Sequence, residues 1–85
     1  MYIAVQLAYY VYMILCENGS YYTGYTKNIE LRFNQHKKGL GARYTRINRP
    51  KKIVHVEKFS TRVDAVRRER EIKSMTHKRK LKLAS

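Results

Sequence analysis

The chain has 85 residues, with 19 Lys and Arg against 6 Asp and Glu and a net charge of +13. That length allows one domain with a modest core, and its single cysteine, Cys16, excludes an intrachain disulfide and a cysteine-rich zinc site. Self-repulsion of such a charge costs stability, so a polyanionic partner is expected, nucleic acid first and an anionic membrane surface second.

The first 15 residues are mostly apolar but too few to span a bilayer, and they lack the basic start and small-residue cleavage site of a signal peptide. The expectation is a soluble, cytoplasmic protein with no membrane segment, one domain over residues 1–85. Residues 1–8 read as an N-terminal extension, able to serve as an extra strand or a dimer surface, and residues 76–85 as a basic C-terminal segment.

Tyr9 to Cys16 and Tyr21 to Thr26 are apolar, aromatic runs separated by Asn18-Gly19, a hairpin signal. Apolar residues on both parities of the first run predict that both of its faces are covered. Asn28 can cap a helix that carries Glu30 in its first turn and ends at Gly39. Ile29, Phe33, His36 and Leu40 fall within one arc of it, with Arg32 on the flank. Gly39 to Lys52 reads as a basic loop. Ile53 to Phe59 reads as a third strand, with Ile53, His55, Glu57 and Phe59 on one parity. Thr61 can cap a second helix running to about Met75, and Lys78 to Ala84 can form a short basic third one. The order predicts an α/β (α+β) domain: a small antiparallel sheet flanked by about three helices.

The second helix holds a misplaced acid. With Ala65 at zero and about 100° per residue, Ile72 lies near −20° and Val66 near 100°, while Glu69 lies near 40°, inside the buried arc. A lone carboxylate there is expensive unless it is paired or binds a cation. It reads either as a salt bridge to Arg62, Lys73 or the first helix, or as a metal ligand facing a pocket. Arg32 and His36 share a face of the first helix, and arginine suits bidentate binding of a phosphate; the bland alternative is a solvated basic face with a half-buried imidazole.

These residues resemble the GIY-YIG nuclease superfamily, in its small stand-alone members. Tyr10-Val11-Tyr12 resembles the first half of the signature and Tyr22-Thr23-Gly24 the second. Arg32 follows Tyr22 by ten residues and His36 follows by four more, as in the family's R-x3-H helix. The segment Ala42 to Arg46 with Arg49-Pro50, and the segment Ala65 to Lys73 in which Glu69 matches the metal-binding glutamate, complete five ordered elements between about Tyr9 and Lys82. Tyr10 stands in place of a Gly and Thr23 in place of an aliphatic residue; the asparagine that larger members carry after the glutamate has no match. No second DNA-binding domain is expected within these 85 residues, which argues against tight sequence specificity.

The resemblance implies a three-stranded antiparallel sheet and a metal-dependent DNA endonuclease leaving 5′-phosphate and 3′-hydroxyl ends, a chemistry that would fit DNA repair or a mobile element. Tyr22 would be the general base or would orient the water, with the cations Lys27 and Arg32 lowering a phenol pKa that is ordinarily about 10. Tyr12 would hydrogen-bond within the site. Arg32 would clamp a phosphate oxygen, His36 would relay a proton, and Glu69 with waters would hold one Mg²⁺ or Mn²⁺. Lys27, Arg43, Tyr44, Arg46, Arg49 and Lys73 are the expected nucleic-acid contacts. A homodimer or a larger protein partner would supply a second cut. The alternative is a non-catalytic module on the same fold, binding DNA or structured RNA. The hairpin carries a geometric condition: a plain two-residue turn at Asn18-Gly19 would put Tyr22 opposite Leu15 and Tyr12 opposite Tyr25, on opposite faces. A shared site therefore requires an odd-length loop or a bulge.

Overall fold

The computed structural model describes residues 8–85, so the N-terminal extension, read above as a strand or dimer surface, lies outside the described residues. The elements run β1 (Tyr9–Cys16), β2 (Tyr21–Thr26), α1 (Ile29–Lys37), α2 (Arg43–Ile47), β3 (Pro50–Phe59), α3 (Arg62–Lys73) and α4 (His77–Ala84). The strands form one antiparallel sheet in the order β2-β1-β3. β1 is therefore the centre, which is why both of its parities are apolar. Val11 and Met13 pack with Ala65 and Ile72 of α3 on one face. Tyr12, Ile14 and Cys16 pack with Phe33 of α1 and Ile53 on the other.

The β1–β2 turn is Glu17-Asn18-Gly19, three residues long. Cys16 N donates to Ser20 O at 2.8 Å and Gly19 N to Cys16 O at 2.9 Å. Gly19 sits at φ 85°, the left-handed position that a three-residue hairpin loop needs and that glycine takes without Cβ strain. The resulting register pairs Tyr12 with Gly24 and Ile14 with Tyr22. Residues 12, 14, 22 and 24 consequently share a face, and the odd-length condition is met.

Each longer helix starts at a side-chain cap: Asn28 accepts from Leu31 N, Thr61 from Asp64 N and Thr76 from Arg79 N. Three features depart from expectation. The stretch Gly39 to Lys52 is not all loop, because it holds the single turn α2 and the first residues of β3. Leu40 lies beyond the end of α1 and is 73% exposed rather than on the buried arc. The pairing of β3 with β1 slips twice, between Met13 and Ile14 and between Leu15 and Cys16. The first slip is a bulge that moves Ile53 to the face opposite His55, Glu57 and Phe59, so the single parity expected for these four does not hold.

An ionic clip fixes α3 against β3. Arg68 Nε donates to Glu57 Oε1 at 2.9 Å, His55 Nε2 lies 2.6 Å from Glu57 Oε2, and Arg68 also reaches Glu71 at 3.1 Å. Burial pushes the Glu57 carboxyl up, but the hydrogen bonds from Arg68 and His55 outweigh it and hold it below its ordinary value. With Arg68 held toward β3, Glu69 points about 100° away around the helix.

Ile72 is fully buried in the small core between α3 and the sheet. Ile72→Ala is expected to cost about 2–5 kcal/mol, a large fraction of the stability available to a domain of this size. Urea unfolding measures it, and a loss below about 1 kcal/mol would mean that the site collapses around the cavity.

Candidate active site

The site grows from the face of the sheet covered by α1 and α2. The Tyr12 ring crosses the neighbouring strand at Gly24, where a Cβ would stand 2.5 Å from Tyr12 Oη and 2.8 Å from Cζ. Only a hydrogen at that position lets the phenol lie across β2. Tyr12 Oη then meets His36 Nε2 at 2.8 Å. His36, fully buried near the end of α1, places Nδ1 at 2.6 Å from Thr45 Oγ1 of α2. Thr45, 1% exposed, donates in turn to the Ala42 carbonyl at 3.0 Å. A Cβ on Gly41 would run into the His36 ring, so a second glycine makes room for the imidazole.

Tyr22 joins this group from β2. Its ring centroid lies 5.1 Å from His36, 6.4 Å from Tyr12 and 5.9 Å from Tyr44, stacked at 28° on the last. Among the described residues its hydroxyl makes no protein hydrogen bond, whereas that of Tyr12 is committed to His36. Tyr44, 40% exposed, forms the outer wall.

Two charges bracket the phenols. Arg32, half-buried on α1 and steadied by a 3.0 Å bond to Gln35 Oε1, acts on both Tyr12 and His36. Glu69 comes from α3 with its side chain 13% exposed, and its charge also reaches Tyr12. Burial, reinforced by Tyr22 and Glu69 and opposed by Arg32, pushes the Tyr12 phenol up to about 12. Burial, reinforced by Arg32, pushes His36 down to about 4. At neutral pH the pair is therefore a phenol and a neutral imidazole.

Tyr12, Tyr22, Arg32 and His36 thus converge, with Glu69 within electrostatic reach. Glu69 Oε1 is 2.6 Å from Lys73 Nζ, so the pairing alternative is realised and Lys73 faces this carboxylate. Among the described residues no three His, Cys, Asp or Glu side chains cluster. A single carboxylate still fits a largely hydrated hard cation: the lysine ammonium stands where a cation is wanted, and among the described residues the second carboxylate oxygen makes no ion pair. Lys27 does not attend Tyr22; its ammonium lies 5.4 Å from the Tyr9 ring, in the cluster on the α3 face. Arg43, Arg46 and Arg49 are exposed, and the last two line a pocket of about 130 Å³ behind His36 and Thr45. The His77 ring packs tilted against Tyr21, centroids 5.2 Å apart, away from the site.

Thr45 and Gly41 escaped sequence reasoning. Thr45 stands inside the motif segment Ala42 to Arg46, and a small hydroxyl residue amid cations was the available signal. Its contact to His36 spans nine positions and a chain reversal, which no periodicity encodes.

Two outcomes follow from this geometry. His36 binds protons less readily folded than unfolded, so its neutral form stabilises the fold fully above pH 6.5, and that contribution is lost as pH falls from 6.5 towards about 4. The melting temperature should drop across that window, and His36→Gln should flatten the drop. Gly24→Ala should displace the Tyr12 ring and break its bond to His36 at a stability cost of about 1–3 kcal/mol; a structure of the variant with that bond intact would refute the crossing argument.

No helix among the described residues is long and apolar enough to cross a membrane. The GIY-YIG catalytic domain model matches residues 8–82. A UPF0213 protein of Staphylococcus saprophyticus is 48% identical over 77 residues, spanning 91% of this chain and 94% of that one. A UPF0213 protein of Staphylococcus aureus is 42% identical over 76 residues, spanning 89% and 93%. Among solved structures, the solution structure of a UPF0213 protein from Bacillus halodurans superposes with a TM-score of 0.58 at 38% identity, over 91% of this chain and 82% of that one. A solution structure of a protein from E. faecalis superposes with a TM-score of 0.60 at 43% identity, over 86% and 78%. Domain model, relatives and fold agree, and they point to nuclease-type chemistry on a nucleic acid: the chain belongs to the GIY-YIG family, among its small members with a three-stranded sheet and four helices.

Proposed function

We propose that this protein is a metal-dependent endonuclease that hydrolyses DNA phosphodiesters to 5′-phosphate and 3′-hydroxyl ends. The observation that carries the reading is the convergence of two phenols, a buried neutral histidine and a guanidinium from three separate elements, with one shielded carboxylate in reach. A packed core gives no reason to gather these groups, and each of them can serve a step of phosphodiester hydrolysis.

Tyr22, whose hydroxyl has no protein partner among the described residues, takes or orients the proton of the attacking water. Tyr12 holds the inner side of that water site while bonded to His36. Arg32 neutralises a non-bridging phosphate oxygen and the charge that develops on it. Glu69 is the residue that would hold one Mg²⁺ or Mn²⁺, in exchange for its pairing with Lys73. Such an ion supplies Lewis acidity at the phosphate and the departing 3′ oxygen. The exposed cations of α2 and the following turn, Arg43, Arg46 and Arg49, bind flanking phosphates. Tyr44 offers a face for a base. DNA is the substrate class, and a homodimer or a larger protein partner would allow the second strand to be cut.

One observation favours a second reading. The 2.6 Å pair between Lys73 and Glu69 satisfies the carboxylate without any metal, as a non-catalytic nucleic-acid-binding module would require.

Incubation of the purified protein with plasmid and single-stranded DNA, with Mg²⁺ or Mn²⁺ and with chelator, separates the two. Cleavage should require the metal and leave ends that ligase reseals. Glu69→Ala and Arg32→Ala should each lower it by about 10²–10³-fold, and Tyr22→Phe by about 10²–10⁴-fold. Tight binding without any metal-dependent cut would establish the binding module instead.

A further inference from the structure

Thr45 lies outside the groups invoked so far, yet it is fully buried and touches the imidazole directly. Its hydroxyl has one proton, and the Ala42 carbonyl 3.0 Å away can only accept it. The oxygen of Thr45 must therefore accept at its other contact, the 2.6 Å approach of His36 Nδ1. That requires a hydrogen on Nδ1. A neutral ring then carries a lone pair on Nε2, and Tyr12 Oη, at 2.8 Å, must donate to it. Every proton in the chain runs one way, from Tyr12 to His36 to Thr45 to the backbone of the turn before α2.

We infer that Thr45 is a positioning residue of the reaction: by accepting from Nδ1 it locks His36 in the tautomer whose Nε2 receives the Tyr12 proton, and so turns the lone pairs of Tyr12 toward the phosphate site. This rests on the nuclease reading above. The consequence is a defined proton path. With Tyr22 orienting the attacking water, the water oxygen bonds to phosphorus as the P–O3′ bond breaks. The water's proton goes to Tyr12 Oη, and the Tyr12 O–H bond breaks as its own proton passes to His36 Nε2. The phenol ends neutral, the imidazole ends as imidazolium, and Nδ1–H remains on Thr45. The reverse tautomer, with hydrogen on Nε2, would face the Tyr12 oxygen as a donor and close the path. Arg32 from α1, Tyr12 from β1 and Tyr22 from β2 surround the imidazole on its other sides, and none of them contacts Nδ1. Choice of tautomer therefore falls to Thr45.

The test joins nitrogen NMR of the His36 ring to steady-state cleavage of plasmid DNA with Mg²⁺. The wild-type protein should show Nδ1 protonated and Nε2 bare at neutral pH. Thr45→Val removes the acceptor while keeping the shape; it should mix the tautomers and lower kcat about 10–100-fold with KM for DNA unchanged. Thr45→Ser should restore both the spectrum and kcat. A wild-type ring with hydrogen on Nε2, or a Thr45→Val protein with undiminished kcat, overturns the inference. The wild-type spectrum needs no variant and so stands even if Thr45→Val fails to fold. Absence of cleavage with the Nδ1–H tautomer in place would strike the nuclease reading and leave the hydrogen-bond assignment supported. Cleavage with the Nε2–H tautomer would do the reverse.

Discussion

The register of the first hairpin is the constraint on which the site depends. Side chains alternate faces along a strand, so one residue more or fewer in the turn would send Tyr12 and Tyr22 to opposite sides of the sheet. The three-residue turn through Gly19, with its φ of 85°, selects the register in which Tyr12 pairs with Gly24 and Ile14 with Tyr22. Everything chemical follows from that alignment. The Tyr12 ring can then cross β2 over the bare Gly24, and the hydroxyl reaches the imidazole that α1 presents on the same face.

The two faces of the sheet divide the labour. The face under α3 and α4 is the core proper, with Val11, Met13, Ala65 and Ile72 excluded from water. The face under α1 and α2 is half core and half site, because Ile14, Cys16 and Phe33 pack beside the polar chain from Tyr12 to Thr45. Burying that chain is tolerable because every member finds a partner. The same burial keeps the phenol protonated and the histidine neutral, which is the state a directional proton path needs before it is used. Glu69 belongs to the other face's helix, and the Arg68–Glu57 clip orients that helix against β3.

Charge and size explain the rest of the molecule. With +13 on 85 residues, few acids are available to pair internally, and three of the six, Glu57, Glu71 and Asp64, serve α3 through Arg68 and Arg67. The arginines of α2 and the turn that follows it face solvent instead, beside the aromatic cluster. A repulsive surface of this kind gains most when a polyanion lies across it.

Much of this was legible in the residues alone. Strand, hairpin and helix boundaries follow from apolar periodicity and capping residues, which are local properties. The inward Glu69 shows in helical phase, and the ordered spacing of Tyr12, Tyr22, Arg32, His36 and Glu69 marks the family. Other features needed the folded chain. α2 is five residues long, too short for a period to emerge, and it is held by contacts rather than by propensity. The bulge that turns Ile53 to the site face arises from pairing with β1, not from any residue of β3. Lys73 on Glu69, Lys27 over Tyr9 and Thr45 beneath His36 are choices among several reachable neighbours. Sequence determined which groups are present and how they repeat along each element; only the tertiary structure decided which groups touch, because contact depends on distances set by every other packed element at once.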